Sequence, residues 1–120
     1  RVLVVGATFK ENCDDLRNSK VLDLVQELMS WGCEVQLHDP VVNQKRLQAL
    51  YGPGAVLAEM PQERHIYGSV ILAAPHTQVL EEISLKWLIN LVAWQDGTCW
   101  DLKRVYTPKG LEQLRAYRSW

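Results

Sequence analysis

Apolar residues follow two different patterns along this chain. Val2–Val5 and Val70–Ala74 are continuous apolar runs, which are typical of parallel strands buried on both faces of a sheet. Within residues 21–29 the apolar side chains recur every three or four positions, which predicts one buried face of a helix. Gly32 follows this segment and suits the end of a helix. The two patterns together predict strands that alternate with helices.

The same patterns divide the rest of the chain. We expect strands at residues 1–6, 33–38, 55–58, 70–74 and 98–102. We expect helices up to Trp31 with Asn18 or Ser19 as the N-cap, at 43–51, within 78–90, and from Thr107-Pro108 through Tyr117. This alternation predicts a parallel sheet with right-handed crossovers. The expected fold is therefore a doubly wound α/β sandwich, with a mostly parallel sheet flanked by helices, formed by residues 1–120 as a single domain.

A long polar stretch, residues 6–20, separates the first strand from the first helix. Loops of this kind usually have about 2–6 residues, and in open parallel sheets they lie at the edge that binds ligands. This loop carries Lys10 and Arg17, and an arginine fork matches the oxygens of a phosphate. The residues therefore predict either a phosphate site or a solvated loop in which Arg17 pairs with Asp14 or Asp15.

Other signatures of binding and catalysis are incomplete. Gly6 is a single glycine where the dinucleotide fingerprint GxGxxG needs three, so we interpret Asp39 as a turn residue before Pro40 rather than as a ribose ligand. Cys13 lies in the long loop and is a weak candidate for a nucleophile, because no histidine base is near it in sequence. His76 follows the fourth strand, either as a site residue or as a helix cap. The chain shows no cysteine and histidine spacing typical of a metal site.

Composition limits the classes of function. The chain has 120 residues, 48% of them apolar and 22% charged, which suits one globular domain. A formal net charge of -1 provides no general attraction for nucleic acid, and no apolar run approaches the about 20 residues of a membrane span. Three cysteines without a CxxC pair favour a reducing, cytoplasmic setting. The chain begins without Met and inside a strand, which suggests a piece of a longer polypeptide.

The long loop also carries a family resemblance. Residues 6–21 read G-x-T-F-K-E-N-C-x-D-x-R-N-S-K-V, which resembles the opening of the carboxy-terminal, UDP-binding domain of the UDP-glucose/GDP-mannose dehydrogenase family. The sequences His-Asp-Pro at 38–40, Pro-His at 75–76 and Trp-Asp-Leu-Lys at 100–103 fit the same domain. The loop is most similar to the bacterial branch that oxidises UDP-N-acetylhexosamines for surface polysaccharide. The resemblance covers essentially the whole chain and implies a Rossmann-like fold.

The resemblance also implies a reaction and its partners. In this family an amino-terminal Rossmann domain holds NAD, and a helical middle domain carries the catalytic cysteine and much of the dimer contact. The carboxy-terminal domain closes over the UDP end of the sugar, whose C6 alcohol is oxidised to a carboxylate in two NAD-dependent steps. The chain is thus expected to bind a UDP-sugar within a homo-oligomeric, cytoplasmic dehydrogenase for capsule or other polysaccharide. It is not expected to be catalytic in isolation.

Residue roles follow from the same resemblance. Phe9 and Lys10 match the pair that contacts the nucleotide-sugar, and Arg17 matches the arginine that reaches the NAD pyrophosphate. Lys103 falls near a position where the family often places a substrate-binding arginine, and Arg104 is the alternative. No catalytic residue is expected in this chain. A second interpretation is a Rossmann-like interaction module that has no ligand of its own.

Overall fold

The computed structural model describes residues 1–10, 12–17, 19–82, 88, 90–92, 97–103 and 117–119. Within them the strands are β1 (Val2–Val5), β2 (Val35–His38), β3 (Ser69–Leu72), β4 (Thr98–Asp101) and β5 (Tyr117–Ser119). The helices are α1 (Val21–Ser30), α2 (Gln44–Tyr51) and α3 (Thr77–Glu82). No helix in this described part of the chain is long and apolar enough to cross a membrane.

The strands form one sheet in the order β2-β1-β3-β4-β5, and every neighbouring pair is parallel. Val5, the last residue of β1, pairs with His38 on one side and with Leu72 on the other. Leu72 in turn pairs with Asp101. The carboxyl ends of four strands therefore lie level at one edge, and the predicted α/β fold is confirmed.

Each face of the sheet has its own apolar core, which makes the fold three-layered. Successive side chains of β1 point to opposite faces of the sheet. All four are buried, because helices or loops cover both faces. One core joins the sheet to α3 and the segment near residue 90, with Leu3, Val5, Leu72, Val79 and Leu91 among its members. The other joins it to α1 and α2, with Val4, Val25, Leu37, Leu47 and Ile71 among its members.

The N-cap of α1 is Lys20 and not Asn18 or Ser19 as predicted, and its side chain makes no capping hydrogen bond. Ser19 still lies close to the start of the helix, because its Oγ accepts the Val21 N–H at 3.2 Å.

Three further sequence predictions need correction. The short strand expected at 55–58 is a single bridge between Val56 and Leu37. The second strand begins at Val35, so Cys33, predicted to be its first residue, precedes it and is half-buried. Tyr117 lies in β5 and not on a helix, because the last strand is too short to show a period of its own and its tyrosine continues the helical spacing before it. The rest of the predicted last helix lies outside the described residues, as does most of 83–90.

Candidate functional site

Phe9 and Lys103 meet at the carboxyl edge of the sheet. Phe9 lies in the β1–α1 loop, residues 6–20, and Lys103 follows β4. The Lys103 Nζ lies 5.5 Å from the centroid of the Phe9 ring and 3.5 Å from the Phe9 carbonyl oxygen. The first distance is within the range of a cation–π contact. Two residues predicted to contact substrate thus come together from distant parts of the chain.

The Phe9 ring and the Lys10 ammonium both face solvent. Phe9 is 60% exposed, which is unusual for so large an apolar side chain. Lys10 is also exposed, and no side chain among the described residues forms an ion pair with it. The tip of the loop therefore presents an aromatic surface and a positive charge next to each other.

A cavity of about 290 Å³ lies between the loop tip, the start of α1 and the segment after β4. Its lining consists of Thr8, Phe9, Lys20, Val21, Leu24, Ala73, Leu102 and Lys103. Two ammonium groups, those of Lys20 and Lys103, thus belong to one apolar-floored cavity. The site predictions omitted Lys20, although it was visible as one of the loop's cations and its position before α1 could have suggested it.

Arg17 lies outside the lining of this cavity and pairs with Asp15. The Arg17 Nε lies 3.0 Å from Asp15 Oδ1, and Nη2 lies 2.9 Å from Asp15 Oδ2. Hydrogen bonds from the Arg17 side chain and backbone lower the pKa of Asp15 to about 2, and the carboxylate raises the pKa of Arg17. The Arg17 side chain is still 86% exposed, so the pair is solvated. Arg104, the alternative to Lys103, lies outside the described residues.

The base of the same loop is packed closely against the protein. Gly6 has φ of +93°, and a Cβ at this position would lie 2.5 Å from the carbonyl oxygen and the Cβ of Ala74. Only glycine accepts both that backbone conformation and that contact. Gly6 therefore allows the loop base to lie against the segment after β3.

Asp39 connects the loop base to the turn after β2. Its carboxylate is fully buried, and Oδ2 accepts the Ala7 N–H at 2.8 Å. Oδ1 accepts the backbone N–H groups of Val41 at 2.8 Å and Val42 at 3.2 Å, which confirms the predicted turn role. Burial alone would raise the pKa of Asp39, but hydrogen bonds from His76 and from the Ala7 and Val41 amides outweigh it and hold the pKa below its usual value.

His76 completes a buried network with Asp39. The imidazole is fully buried, its Nε2 lies 2.9 Å from Asp39 Oδ2, and its Nδ1 accepts the Asn12 N–H at 2.8 Å. Asn12 has φ of +60°, and its Oδ1 accepts the N–H of Thr77, the first residue of α3, at 2.7 Å. His76 stands at the cap position by its backbone, because its carbonyl oxygen accepts the Leu80 N–H at 3.1 Å, whereas its side chain holds Asn12 and the Asn12 side chain accepts the first amide of α3. This network was not predicted, because its hydrogen bonds join residues that are 37 to 65 positions apart in the sequence.

Within the described ranges, no group of three His, Cys, Asp or Glu side chains is arranged to hold a metal ion. Residues 3–108 match the sequence model of the UDP-glucose/GDP-mannose dehydrogenase family, UDP binding domain. The chain belongs to this family. The match includes the whole β1–α1 loop, the Asp39–His76 pair and Lys103, so the cavity described above lies inside the UDP-binding domain.

Individual relatives agree with the family match. The chain is 36% identical over 77 residues to a UDP-N-acetyl-D-glucosamine 6-dehydrogenase of Salmonella typhi, covering 64% of this chain and 17% of that protein. It is 40% identical over 79 residues to one of Pseudomonas aeruginosa, covering 65% and 18%. Protein CapL of Staphylococcus aureus is 34% identical over 104 residues, covering 87% of this chain and 23% of that protein. The chain thus spans about a fifth of the length of these relatives.

Proposed function

We propose that this chain is the carboxy-terminal, nucleotide-sugar-binding domain of an NAD-dependent UDP-sugar 6-dehydrogenase. The enzyme would oxidise the C6 alcohol of the sugar to a carboxylate in two steps, for polysaccharide synthesis in the cytoplasm. The observation that carries the proposal is the cavity in which Phe9 and Lys103 meet, at the carboxyl edge of a UDP-binding domain. Because the named relatives include UDP-N-acetyl-D-glucosamine 6-dehydrogenases, a UDP-N-acetylhexosamine is the first substrate to test.

Charge and shape at the loop tip suit a nucleotide diphosphate. Lys10, Lys20 and Lys103 are exposed cations at or beside the cavity, and clustered cations attract a diphosphate. The exposed Phe9 ring offers a flat apolar surface to the nucleotide-sugar. A volume of about 290 Å³ is at the lower limit of small-molecule sites, which run from about 300 to 1,000 Å³. We therefore expect the other domains of the dehydrogenase to enclose the rest of the substrate.

Arg17 is the residue of this chain that we expect to contact NAD. The incomplete glycine fingerprint gives the chain no dinucleotide site of its own, so NAD would be held mainly by an amino-terminal Rossmann domain. An exposed guanidinium can exchange a solvated carboxylate for a pyrophosphate, because the fork geometry serves both. Arg17 would then reach across from this domain to NAD in the assembled homo-oligomer. The nucleophilic cysteine would belong to the middle domain and not to Cys13.

The test is a Lys10→Ala variant of the intact dehydrogenase. Losing a charge-assisted hydrogen bond costs about 1.5–3 kcal/mol, which corresponds to about a 10- to 100-fold rise in KM for the UDP-sugar. Lys45→Ala is the matched control. Both lysines are exposed and neither lines the cavity, but Lys10 directly follows the lining residue Phe9, whereas Lys45 lies on α2. Steady-state kinetics with varied UDP-sugar measures the change. A KM equal to that of the control would remove Lys10 from the site.

A second candidate is an interaction module without a ligand, and the Arg17–Asp15 pair is the observation that favours it. In that case the loop cations serve solubility and internal pairing. Calorimetry of the intact protein with UDP distinguishes the two candidates. Heat of binding that disappears in Lys10→Ala supports the nucleotide site, whereas no heat at millimolar UDP supports the interaction module.

A further inference from the structure

We infer that the buried Asp39–His76 pair is a positioning device for the β1–α1 loop and sets the affinity for the UDP-sugar without touching it. This inference rests on the function proposed above. Both side chains are fully buried, and neither lines the cavity. Their influence on a ligand therefore has to pass through the loop they hold.

The two side chains form hydrogen bonds to the loop backbone on either side of its tip. Asp39 Oδ2 accepts the Ala7 N–H at 2.8 Å, just before the tip, and His76 Nδ1 accepts the Asn12 N–H at 2.8 Å, just after it. Thr8, Phe9 and Lys10 lie between these two anchors. Thr8 adds a local constraint, because its hydroxyl donates to the Lys10 carbonyl oxygen at 2.8 Å. The aromatic ring and the ammonium are therefore presented by a short segment that is fixed at both ends.

The two hydrogen bonds of the His76 ring require one particular tautomer of the imidazole. A backbone N–H can only donate, so the Nδ1 of His76 must be free of hydrogen to accept from Asn12. The single ring hydrogen is then on Nε2 and donates to Asp39 Oδ2 at 2.9 Å. Asp39 thus selects the tautomer of His76 that can hold Asn12, in the way that a carboxylate orients a ring in a metal or catalytic site. The carboxylate and the imidazole act as one unit on the loop.

Two substitutions of His76 separate the two hydrogen bonds. The amide of His76→Gln can reach the Nε2 position and still donate to Asp39, but it leaves the Asn12 N–H without its acceptor. The amide oxygen of His76→Asn lies near the Nδ1 position and keeps that acceptor. We therefore expect His76→Gln to release the loop and His76→Asn to rescue it in part, although the two variants lose the same aromatic ring.

Steady-state kinetics of the intact dehydrogenase is the first measurement. In His76→Gln we expect KM for the UDP-sugar to rise about tenfold or more, with kcat at saturating sugar and KM for NAD within about twofold of wild type. The rise should be smaller in His76→Asn. Asp39→Asn is a second variant should His76→Gln not fold: an NH₂ in place of either carboxylate oxygen removes an acceptor that the Ala7, Val41 or Val42 amide uses, and the same rise is expected.

The matched control is Tyr67→Phe. Tyr67 is buried, and its hydroxyl donates to Gln36 Oε1 at 2.5 Å near the amino edge of the sheet. This variant also loses a side-chain hydrogen bond from the interior, so it should lower the melting temperature while leaving KM for the UDP-sugar unchanged. A merely structural role for His76 predicts the same behaviour as this control, and that result would overturn the inference.

Amide hydrogen exchange at Asn12 tests the positioning step apart from the enzyme activity. We expect the Asn12 N–H to exchange slowly in the wild type and in His76→Asn, and at least about tenfold faster in His76→Gln. Equal protection in all three proteins would overturn the inference even in an active dehydrogenase. If the intact wild type neither binds nor oxidises a UDP-sugar, the proposed function fails instead, and loss of protection in His76→Gln still shows that the pair holds the loop.

Discussion

The base and the tip of the β1–α1 loop differ in almost every physical respect. At the base, Gly6 contacts Ala74, and hydrogen bonds to the buried side chains of Asp39 and His76 hold Ala7 and Asn12. At the tip, Phe9 and Lys10 are exposed. A loop of this length is therefore not uniformly loose. The base is packed and hydrogen-bonded like the protein interior, and it therefore holds the short exposed tip at a defined place.

The energetics of the two parts also differ. A buried carboxylate and a buried imidazole are costly unless every polar atom finds a partner, and the contacts of Asp39 and His76 satisfy this condition. The exposed Phe9 instead gives up much of the about 1.5–3 kcal/mol that burying such a ring contributes. The base is therefore stable in itself, whereas the exposed ring at the tip gains little from the fold, which is consistent with the contact proposed between Phe9 and a nucleotide-sugar.

The largest effect should come from Gly6→Ala at the loop base. A side chain at φ of +93° is strained, and its Cβ would overlap backbone atoms of Ala74 at 2.5 Å. We expect a loss of about 3 kcal/mol or more in the free energy of unfolding, from backbone strain and overpacking together. Urea unfolding of the intact protein, followed by fluorescence of its tryptophans, measures this loss.

Gly32→Ala is the control for this prediction. Gly32 has φ of +88°, but no atom lies within 4 Å of a Cβ at that position. It should lose only the strain of about 1–2 kcal/mol. If Gly6→Ala were no more destabilising than Gly32→Ala, the close contact between the loop base and Ala74 would not exist in solution.

The next effect is the response of the loop base to acid. The folded-state pKa of Asp39 lies below its usual value, despite burial, because His76, Ala7 and Val41 donate to the carboxylate. Its contribution to stability is therefore fully present above the ordinary carboxyl pKa of about 3.9 and is lost as the pH falls through the lowered value. The free energy of unfolding should fall less between pH 7 and pH 3 in Asp39→Asn than in the wild type. Equal slopes would show that the pKa of Asp39 is the same in the folded and unfolded states, which would contradict the lowered folded-state value.

The strands that could be predicted from the sequence are those with a local signal. The interior strands β1 and β3 were predicted because continuous apolar runs are a local signal of burial on both faces. β5 was missed because three residues carry no measurable period, and Tyr117 extended a helical one. The isolated bridge at Val56 shows that β-propensity alone does not decide whether an edge segment pairs fully.

In the candidate site, too, only features that a local stretch of sequence encodes were predicted. Phe9, Lys10 and Lys103 were identified because the resemblance of their local sequences to one family singled them out, and the roles assigned to them stay predictions. The network of Asp39, His76 and Asn12 was not predicted, because its contacts join segments that lie far apart in the sequence and no spacing encodes them. The turn role of Asp39 was predicted because a turn is local.

The smallest effect on the fold should come from Arg17→Ala at the outer part of the loop. Arg17 is paired with Asp15 but highly exposed, so its removal should leave the melting temperature unchanged. Arg1→Ala is the matched control, because Arg1 forms a similar exposed pair with Glu34, at 3.5 Å and at the opposite edge of the sheet. If Arg17 reaches the NAD pyrophosphate in the intact dehydrogenase, KM for NAD should rise about tenfold in Arg17→Ala and stay constant in Arg1→Ala. An equal KM in both variants would mean that the Arg17–Asp15 pair is a solvated pair and nothing more, which would leave the outer part of the loop to the UDP-sugar alone.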